Sequence, residues 1–215
     1  MAGSNKQPLV ENGVVVGTGS DKFEQKNPIV QWALRQFDQA VVDLAAQIDP
    51  GHILEVGCGE GHVTGLLLEK TQASVLGLDI SDRILELARE NVPSERAVFQ
   101  KRSILDLDPE RDAAPLVVCC EVLEHLDHPE EGLRRLARAA RPHALLSVPR
   151  EPLFRALNVF RGAHLASLGN SPGHLQHWSK RSFLDFVRRE LDILEVRTPL
   201  PWTVVLAKSR RAAGD

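Results

Sequence analysis

Apolar residues in the first quarter of the chain recur at helical spacing. Between residues 28 and 48 they fall every three to four positions, as in an amphipathic helix with one buried face. Asn27 suits the cap position and Pro28 suits the first turn. Asp49-Pro50-Gly51 marks the end of the pattern. The sequence therefore predicts a helix over residues 28–48.

Beyond residue 51, short apolar runs alternate with amphipathic stretches. Short apolar runs between turn residues predict strands, and apolar residues at helical spacing predict helices. The predicted strands are 52–56, 74–79, 97–100, 116–120, 144–148, 192–197 and 202–208, and the predicted helices are 62–70, 82–91, 129–141 and 179–191. Such alternation implies an α/β domain with a mainly parallel, doubly wound sheet covered by helices on both faces.

Two segments depart from this alternation. Residues 1–20 are polar and rich in glycine, which predicts a flexible tail with Val14-Val15-Val16 as a candidate short strand. Residues 21–215 then form a single domain. An insertion at about 150–178 follows the fifth predicted strand, and an insertion of that length in a compact domain is more often functional than idle. We interpret it as a lid over the strand ends.

The first part of this insertion mixes cationic and apolar side chains. Arg150, Arg155 and Arg161 are interspersed with Phe154, Leu157 and Phe160. A lid of this composition suits an acidic or aromatic substrate. An ordinary amphipathic surface helix is the alternative explanation of the same pattern.

The overall charge argues against a polyanionic partner. The chain has 26 basic and 29 acidic residues and a formal net charge of −3, so it has no general attraction to nucleic acid or to anionic membranes. No apolar stretch approaches the roughly 20 residues that span a bilayer. The start of the chain lacks the apolar core of a secretory signal, and its three cysteines are Cys58, Cys119 and Cys120. We expect a reduced, cytoplasmic protein.

A glycine-rich turn follows the first strand of the alternating region. Glu55 lies inside that strand, and Gly57, Gly59 and Gly61 come directly after it. Glycine lets the backbone turn tightly and lets a ligand approach it closely. The following helix aims its free N–H groups at the same crevice. Asp79 ends the second strand, where a carboxylate can bind both ribose hydroxyls of an adenosine.

The glycine spacing distinguishes between two kinds of nucleotide site. The dinucleotide fingerprint has glycine at its first, third and sixth positions. Counted from Gly57, the sixth residue is His62, and glycine occupies the fifth position at Gly61. The spacing therefore disfavours a nicotinamide-dependent dehydrogenase.

Three linked motifs of the chain together resemble class I S-adenosylmethionine-dependent methyltransferases. They are LEVGCGEG at 54–61 with GLDIS at 77–81, CEVLEHL at 120–126, and ALLSVP at 144–149. The resemblance covers about residues 50–150. It implies a Rossmann-like seven-stranded sheet whose last strand is antiparallel, and S-adenosyl-L-methionine as the cofactor.

The resemblance also implies a set of cofactor-binding residues. The glycine turn and Glu55 would surround the methionine part, Asp79 would hold the ribose hydroxyls, and Ile80 would pack on adenine. Ser103 stands where an aspartate commonly receives the adenine amino group. Glu121 would face the amino end of the cofactor. The full set is Glu55, Gly57, Cys58, Gly59, Gly61, Asp79, Ile80, Ser103, Ile104 and Glu121.

Histidines supply the candidate catalytic groups. His125 follows Glu121 and Glu124 in a Glu-x-x-Glu-His string, and His174 and His177 lie in the insertion. Histidine titrates near neutral pH, so each could take a proton from a hydroxyl or ammonium acceptor. Carboxylates with imidazoles also suit a divalent metal, as in the small-RNA 3′-terminal 2′-O-methyltransferases that this string resembles. It equally resembles metal-free quinone-biosynthesis O-methyltransferases, and we assign no metal ligand.

The sequence thus favours methyl transfer from S-adenosyl-L-methionine to an oxygen or nitrogen of a small-molecule acceptor. A membrane or nucleic-acid partner is not expected, and a homodimer is left open. Two alternatives remain: a metal-assisted RNA 2′-O-methyltransferase, and a non-catalytic module that only binds the cofactor.

Overall fold

A seven-stranded sheet forms the centre of the fold. The computed structural model describes residues 9–11, 14–16, 27–154 and 175–210. The helices are α1 (Pro28–Ile48), α2 (His62–Lys70), α3 (Asp82–Asn91), α4 (Pro129–Ala139) and α5 (Lys180–Val187). The strands are β1 (Leu9–Glu11), β2 (Val14–Val16), β3 (His52–Val56), β4 (Ser74–Asp79), β5 (Ala97–Lys101), β6 (Ala114–Cys120), β7 (Ala140–Pro149), β8 (Leu191–Arg197) and β9 (Trp202–Ser209).

The strand order places a crevice beside β3. The sheet runs β5-β4-β3-β6-β7-β9-β8. Strands β3 to β7 pair in parallel, whereas β9 is antiparallel to both β7 and β8. The predicted Rossmann-like sheet with an antiparallel last strand is therefore confirmed. Because the chain continues from β3 to β4 on one side and β6 lies on the other, the carboxyl ends of β3 and β6 flank the ligand crevice of such sheets.

Alternate residues of the central strands enter two cores. Leu54 and Val56 point to the face covered by α4 and α5, and Ile53 points to the face covered by α1 and α2. Glu55 lies on the same face as Ile53, because successive side chains of a strand alternate. Its carboxyl group is therefore beneath α2, next to Thr64.

The first long helix begins and ends as the sequence indicates. The Asn27 side chain accepts a hydrogen bond from the Ile29 N–H at 2.9 Å, which satisfies one of the N–H groups that a first turn leaves unpaired. Asp49 adopts a left-handed backbone conformation with φ 47°, and its N–H donates to the Ala46 carbonyl. These contacts fix both ends of α1.

The predicted boundary between α4 and β7 was wrong. The predicted helix 129–141 ends at Ala139, and β7 begins at Ala140. Pro142 explains the difference, since proline disfavours helical backbone in the residue before it, here Arg141. The strand consequently starts four residues before the predicted position, Ala144.

The observed bounds of two further elements also differ from the predicted ones. The predicted helix 179–191 spans only Lys180–Val187, because fully buried Leu191 already belongs to β8 and pairs with Ser209. β6 starts at Ala114 and not at Leu116, since a bulge between these two residues accommodates the intervening proline.

The N-terminal segment contains a short strand pair. Val14–Val16 form a strand, as predicted, and pair antiparallel with Leu9–Glu11. Arg155, Leu157, Phe160, Arg161 and His174 of the predicted lid lie outside the described residues. None of the helices in the described ranges combines the length and apolar character needed to cross a bilayer.

Candidate active site

The turn after β3 is built from three left-handed glycines. Gly57, Gly59 and Gly61 have φ values of 77°, 54° and 85°. The N–H groups of Gly57 and Cys58 both donate to the Leu78 carbonyl, at 2.7 and 3.0 Å. The turn is thereby fastened to the end of β4. Non-glycine residues reach such φ values only at a steric cost.

The three glycines of the turn lack a side chain for two different reasons. A Cβ at Gly57 would lie 2.1 Å from the Val122 Cγ2, and one at Gly61 would lie 2.9 Å from the Val92 Cγ2. A Cβ at Gly59 would meet no atom within 4 Å. Gly57 and Gly61 are therefore required by packing, whereas Gly59 borders open space at the crevice.

The Asp79 carboxylate links the glycine turn to the next helix. Its Oδ2 accepts from the Gly59 N–H and its Oδ1 accepts from the Ser81 N–H, both at 3.1 Å. These two backbone donors hold the carboxylate at the end of β4. The neighbouring Ile80 side chain is 40% exposed, so an apolar surface lies beside a fixed carboxylate. The contacts predicted for these two residues with a ribose and a purine stay predictions.

Glu55 is a buried acid within this site. The Thr64 hydroxyl donates to its Oε2 at 2.5 Å. Burial raises the pKa of Glu55 to about 8, the Thr64 hydrogen bond opposes that rise, and the Asp79 charge adds to it. The carboxyl is therefore mostly protonated at neutral pH until a positive charge arrives nearby.

Three of the expected cofactor residues have structural roles of their own. The Ser103 hydroxyl accepts from the Leu105 N–H at 3.1 Å and caps a single 3₁₀ turn. The Ile104 side chain is buried in the core. Cys58 packs with Phe99, and burial, followed by the negative charges nearby, raises the pKa of its thiol. Their contacts with a cofactor stay predictions.

Glu121 is held by two side chains that the sequence analysis did not identify. It follows β6 with a left-handed φ of 60°. The Ser147 hydroxyl donates to its Oε1 at 3.1 Å, and the Trp202 Nε1–H donates to its Oε2 at 2.7 Å. The carboxylate is thus turned towards β7 and β9. A serine within the apolar run of β7 and a tryptophan N–H were the available signals, since buried polar groups need partners.

Two of the candidate histidines belong to segments that touch. The Glu124 carbonyl, in the 3₁₀ turn that contains His125, accepts from the N–H groups of Leu175 and Gln176 at 2.8 and 3.0 Å. The Gln176 side chain also donates to a carbonyl of the first segment, at 3.1 Å. His177 follows directly. The structure thus joins the His125 and His177 segments, whose separation in sequence is large.

The acidic string does not form a metal site with the other described residues. Within the part of the chain that the structure describes, no three His, Cys, Asp or Glu side chains come together in a group that could hold a metal ion. His174, which the sequence analysis set beside this string, is outside that part. The absence of metal ligands therefore stays a prediction.

The fold and this site define a nucleotide-binding α/β domain of the doubly wound class. Residues 53–143 match the family model described as a methyltransferase domain. With the sheet and the three motifs, this match shows a methyltransferase domain over those residues, similar to the domain of class I S-adenosylmethionine-dependent methyltransferases.

The alignments with individual relatives cover different shares of the two chains. The trans-aconitate 2-methyltransferase of Methylobacterium nodulans is 36% identical over 110 residues, which are 51% of this chain and 40% of that protein. The ubiquinone biosynthesis O-methyltransferase of Methylococcus capsulatus is 29% identical over 174 residues, 72% of this chain and 70% of that protein. The chain thus spans less than half of the first relative.

The solved structures share the fold at low sequence identity. The N-methyltransferase NodS from Bradyrhizobium japonicum, in complex with S-adenosyl-L-homocysteine, superposes with a TM-score of 0.67 at 15% identity, over 89% of this chain and 94% of that one. This similarity shows that the architecture is common to both proteins.

Proposed function

We propose that this chain transfers the methyl group of S-adenosyl-L-methionine to an oxygen or nitrogen atom of a small-molecule acceptor. The observation that carries the proposal is the left-handed glycine turn whose Gly59 N–H is bonded to Asp79. A bare tight turn needs no carboxylate at the end of the next strand. In this arrangement the turn and the carboxylate border one crevice at the carboxyl edge of the sheet.

The residues of the crevice fit the parts of the cofactor. Open space at the Gly59 Cβ position leaves room for a ligand against the backbone. Asp79 would hold the ribose hydroxyls, and Ile80 would cover the adenine. Glu55 would ionise next to the positively charged methionine end. When bound, S-adenosyl-L-methionine supplies an electrophilic methyl group, so the protein's task is alignment and proton removal.

The other side of the crevice offers groups for the acceptor. Glu121, a carboxylate that Ser147 and Trp202 hold in place, would face the amino end of the cofactor beside these groups. His125 and His177, on joined segments, are the proposed proton acceptors. The names of the relatives, a trans-aconitate 2-methyltransferase and ubiquinone biosynthesis O-methyltransferases, support a small acceptor.

The free thiols of Cys58, Cys119 and Cys120 are consistent with a reducing compartment such as the cytoplasm.

Turnover without added metal tests this proposal. We expect the protein and S-adenosyl-L-methionine to release S-adenosyl-L-homocysteine with at least one member of a panel of carboxylic acids and polyhydroxylated aromatics, including trans-aconitate and 3,4-dihydroxybenzoate. The rate should be unchanged in EDTA, because the proposal assigns no metal. The measurement is product release by mass spectrometry, with acceptor-free and RNA-containing reactions as controls.

Two outcomes would contradict the proposal in different ways. Turnover only on RNA, abolished by EDTA, would indicate a metal-assisted RNA 2′-O-methyltransferase. Tight cofactor binding with no turnover on any acceptor would indicate a non-catalytic binding module.

A further inference from the structure

Two buried polar atoms near the end of β7 have no hydrogen-bond partner in the described structure. They are the Nε of Arg150 and the Oγ1 of Thr203. The Thr203 side chain is fully buried. A buried polar group without a partner destabilises the folded protein, so such groups are rare and call for an explanation.

The two side chains lie on the same face of the sheet. Thr203 pairs with Val148 across β7 and β9. Paired residues of antiparallel strands share a face, and Arg150, two residues after Val148, continues along that face. The two residues are thus diagonal neighbours on adjoining strands. Both lie where β7 ends and β9 begins.

This position lies at the carboxyl edge of the sheet, where the proposed active site also lies. β6 and β7 are adjacent and parallel, with Cys120 paired to Ser147. Glu121 comes directly after Cys120, and Arg150 comes three residues after Ser147. The Arg150 backbone therefore stands at the same carboxyl edge as Glu121, two residues or roughly 7 Å farther along the strand direction, at about 3.3 Å per residue. Its side chain lies on the face of the sheet opposite to that of Ser147 and Trp202, which hold the Glu121 carboxylate.

The backbone of Arg150 is tied to three parts of the chain. Its N–H donates to the Pro201 carbonyl at 2.8 Å, and its carbonyl accepts from the Phe154 N–H at 2.9 Å. It also forms a bridge with Trp178, which precedes α5. The guanidinium thus extends from a fixed point, and little backbone ordering would be needed to present it to a ligand.

Neighbouring carboxylates do not account for this arginine. Glu121 accepts hydrogen bonds from Ser147 and Trp202. Glu124 and Glu151 also have interaction partners. The arginine Nε is nevertheless left without an acceptor. An acceptor supplied from outside the chain would satisfy it.

We propose that Arg150, with the hydroxyl of Thr203, binds a carboxylate group of the acceptor substrate. The planar guanidinium matches a carboxylate in bidentate geometry, and the hydroxyl can donate to the same anion. The inference rests on the proposed function, because it assigns these residues to the acceptor of that reaction. It narrows the substrate class to small carboxylic acids.

Titration with matched charged and neutral probes tests this assignment. The probes are benzoate, 3,4-dihydroxybenzoate and succinate, each compared with its neutral amide. Each is titrated calorimetrically into the protein with and without S-adenosyl-L-homocysteine. We expect at least one carboxylate to bind about tenfold or more tightly than its amide, the range for charge-assisted hydrogen bonds.

Variants then assign the effect to the two residues. Arg150→Gln is expected to weaken carboxylate binding by about 10- to 100-fold and Arg150→Lys by less, with amide binding unchanged. Thr203→Val removes only the hydroxyl, and we expect it to weaken carboxylate binding about 3- to 10-fold while raising the midpoint of thermal unfolding. Arg181→Gln, on an exposed arginine of α5, is the matched control and should change neither value.

The outcomes separate this inference from the proposed function. The carboxylate assignment is overturned if no probe prefers its charged form, or if Arg150→Gln and Arg181→Gln bind the carboxylate equally well. Either result can occur in a protein that binds S-adenosyl-L-homocysteine normally. Failure of S-adenosyl-L-homocysteine to bind would instead contradict the proposed function. The carboxylate titration without this compound would still test whether Arg150 binds a carboxylate.

Discussion

Replacing Glu55 with glutamine is expected to stabilise the cofactor-free protein increasingly as the pH rises. Burial raises the pKa of this carboxyl from its ordinary value of 4.5 to about 8 in the folded protein. Between these two values the folded protein holds a proton that the unfolded chain has released. The protonated carboxyl therefore contributes its full stabilisation to the folded protein below pH 4.5. This contribution to the free energy of unfolding decreases as the pH rises from 4.5 and is lost by about pH 8.

The size of the effect follows from the distance between the two pKa values. Each pH unit in this interval costs about 1.4 kcal/mol, so the whole interval corresponds to on the order of 5 kcal/mol. Glutamine copies the shape and hydrogen bonding of the protonated carboxyl but cannot ionise. It can still accept the hydrogen bond that the Thr64 hydroxyl donates to Glu55. The variant should therefore match the wild type near pH 5 and exceed it near pH 9.

Urea unfolding at a series of pH values measures this difference directly. The free energy of unfolding is determined for wild type, Glu55→Gln and a control, Glu86→Gln, which changes an exposed residue of α3. We expect the difference from wild type to grow with pH for Glu55→Gln only. A difference that stays constant from pH 5 to pH 9 would show that Glu55 does not titrate in this way.

Gly57→Ala and Gly59→Ala are expected to destabilise the folded protein by different amounts and for different reasons. A Cβ at Gly57 would overlap Val122 at 2.1 Å, and φ is 77°. Left-handed backbone and overpacking together should lower the free energy of unfolding by about 2–5 kcal/mol. At Gly59 only the backbone cost of about 1–2 kcal/mol applies, because a Cβ there meets nothing within 4 Å.

Cofactor binding should separate the two glycines further. The Gly59→Ala variant should remain folded, yet its methyl group would enter the space proposed for the cofactor. We expect it to bind S-adenosyl-L-homocysteine at least about tenfold more weakly than wild type. Gly51→Ala is the control, since a Cβ there also meets no atom within 4 Å and no left-handed backbone is involved. Wild-type affinity in Gly59→Ala would remove this glycine from the binding site.

The sheet could be predicted because its strands are short, apolar and bounded by turn residues. β3 and β4 end at the predicted residues: the glycine turn follows β3, and Asp79 is the last residue of β4. Two of the boundary errors came from prolines. Pro142 ended a helix that amphipathic spacing alone would continue, and Pro115 lay inside a strand because a bulge accommodates it.

The site was predictable only where its residues are close in sequence. The glycine turn and Asp79 belong to local motifs that can be recognised one at a time. The support of Glu121 by Ser147 and Trp202 depends on strands brought together by the fold. The same holds for Gln176, whose side chain reaches a carbonyl 50 residues earlier in the chain. Local spacing carries no information about such contacts.

Calorimetric titration with S-adenosyl-L-methionine and S-adenosyl-L-homocysteine tests the central claim most directly. We predict that both bind the wild-type protein with micromolar affinity. Asp79→Ala should weaken binding by about 1–3 kcal/mol, roughly 5- to 150-fold, because the ribose hydroxyls would lose their acceptor and the Gly59 N–H its partner. Failure of both compounds to bind the wild type, or equal affinity in Asp79→Ala, would contradict a cofactor site at the glycine turn.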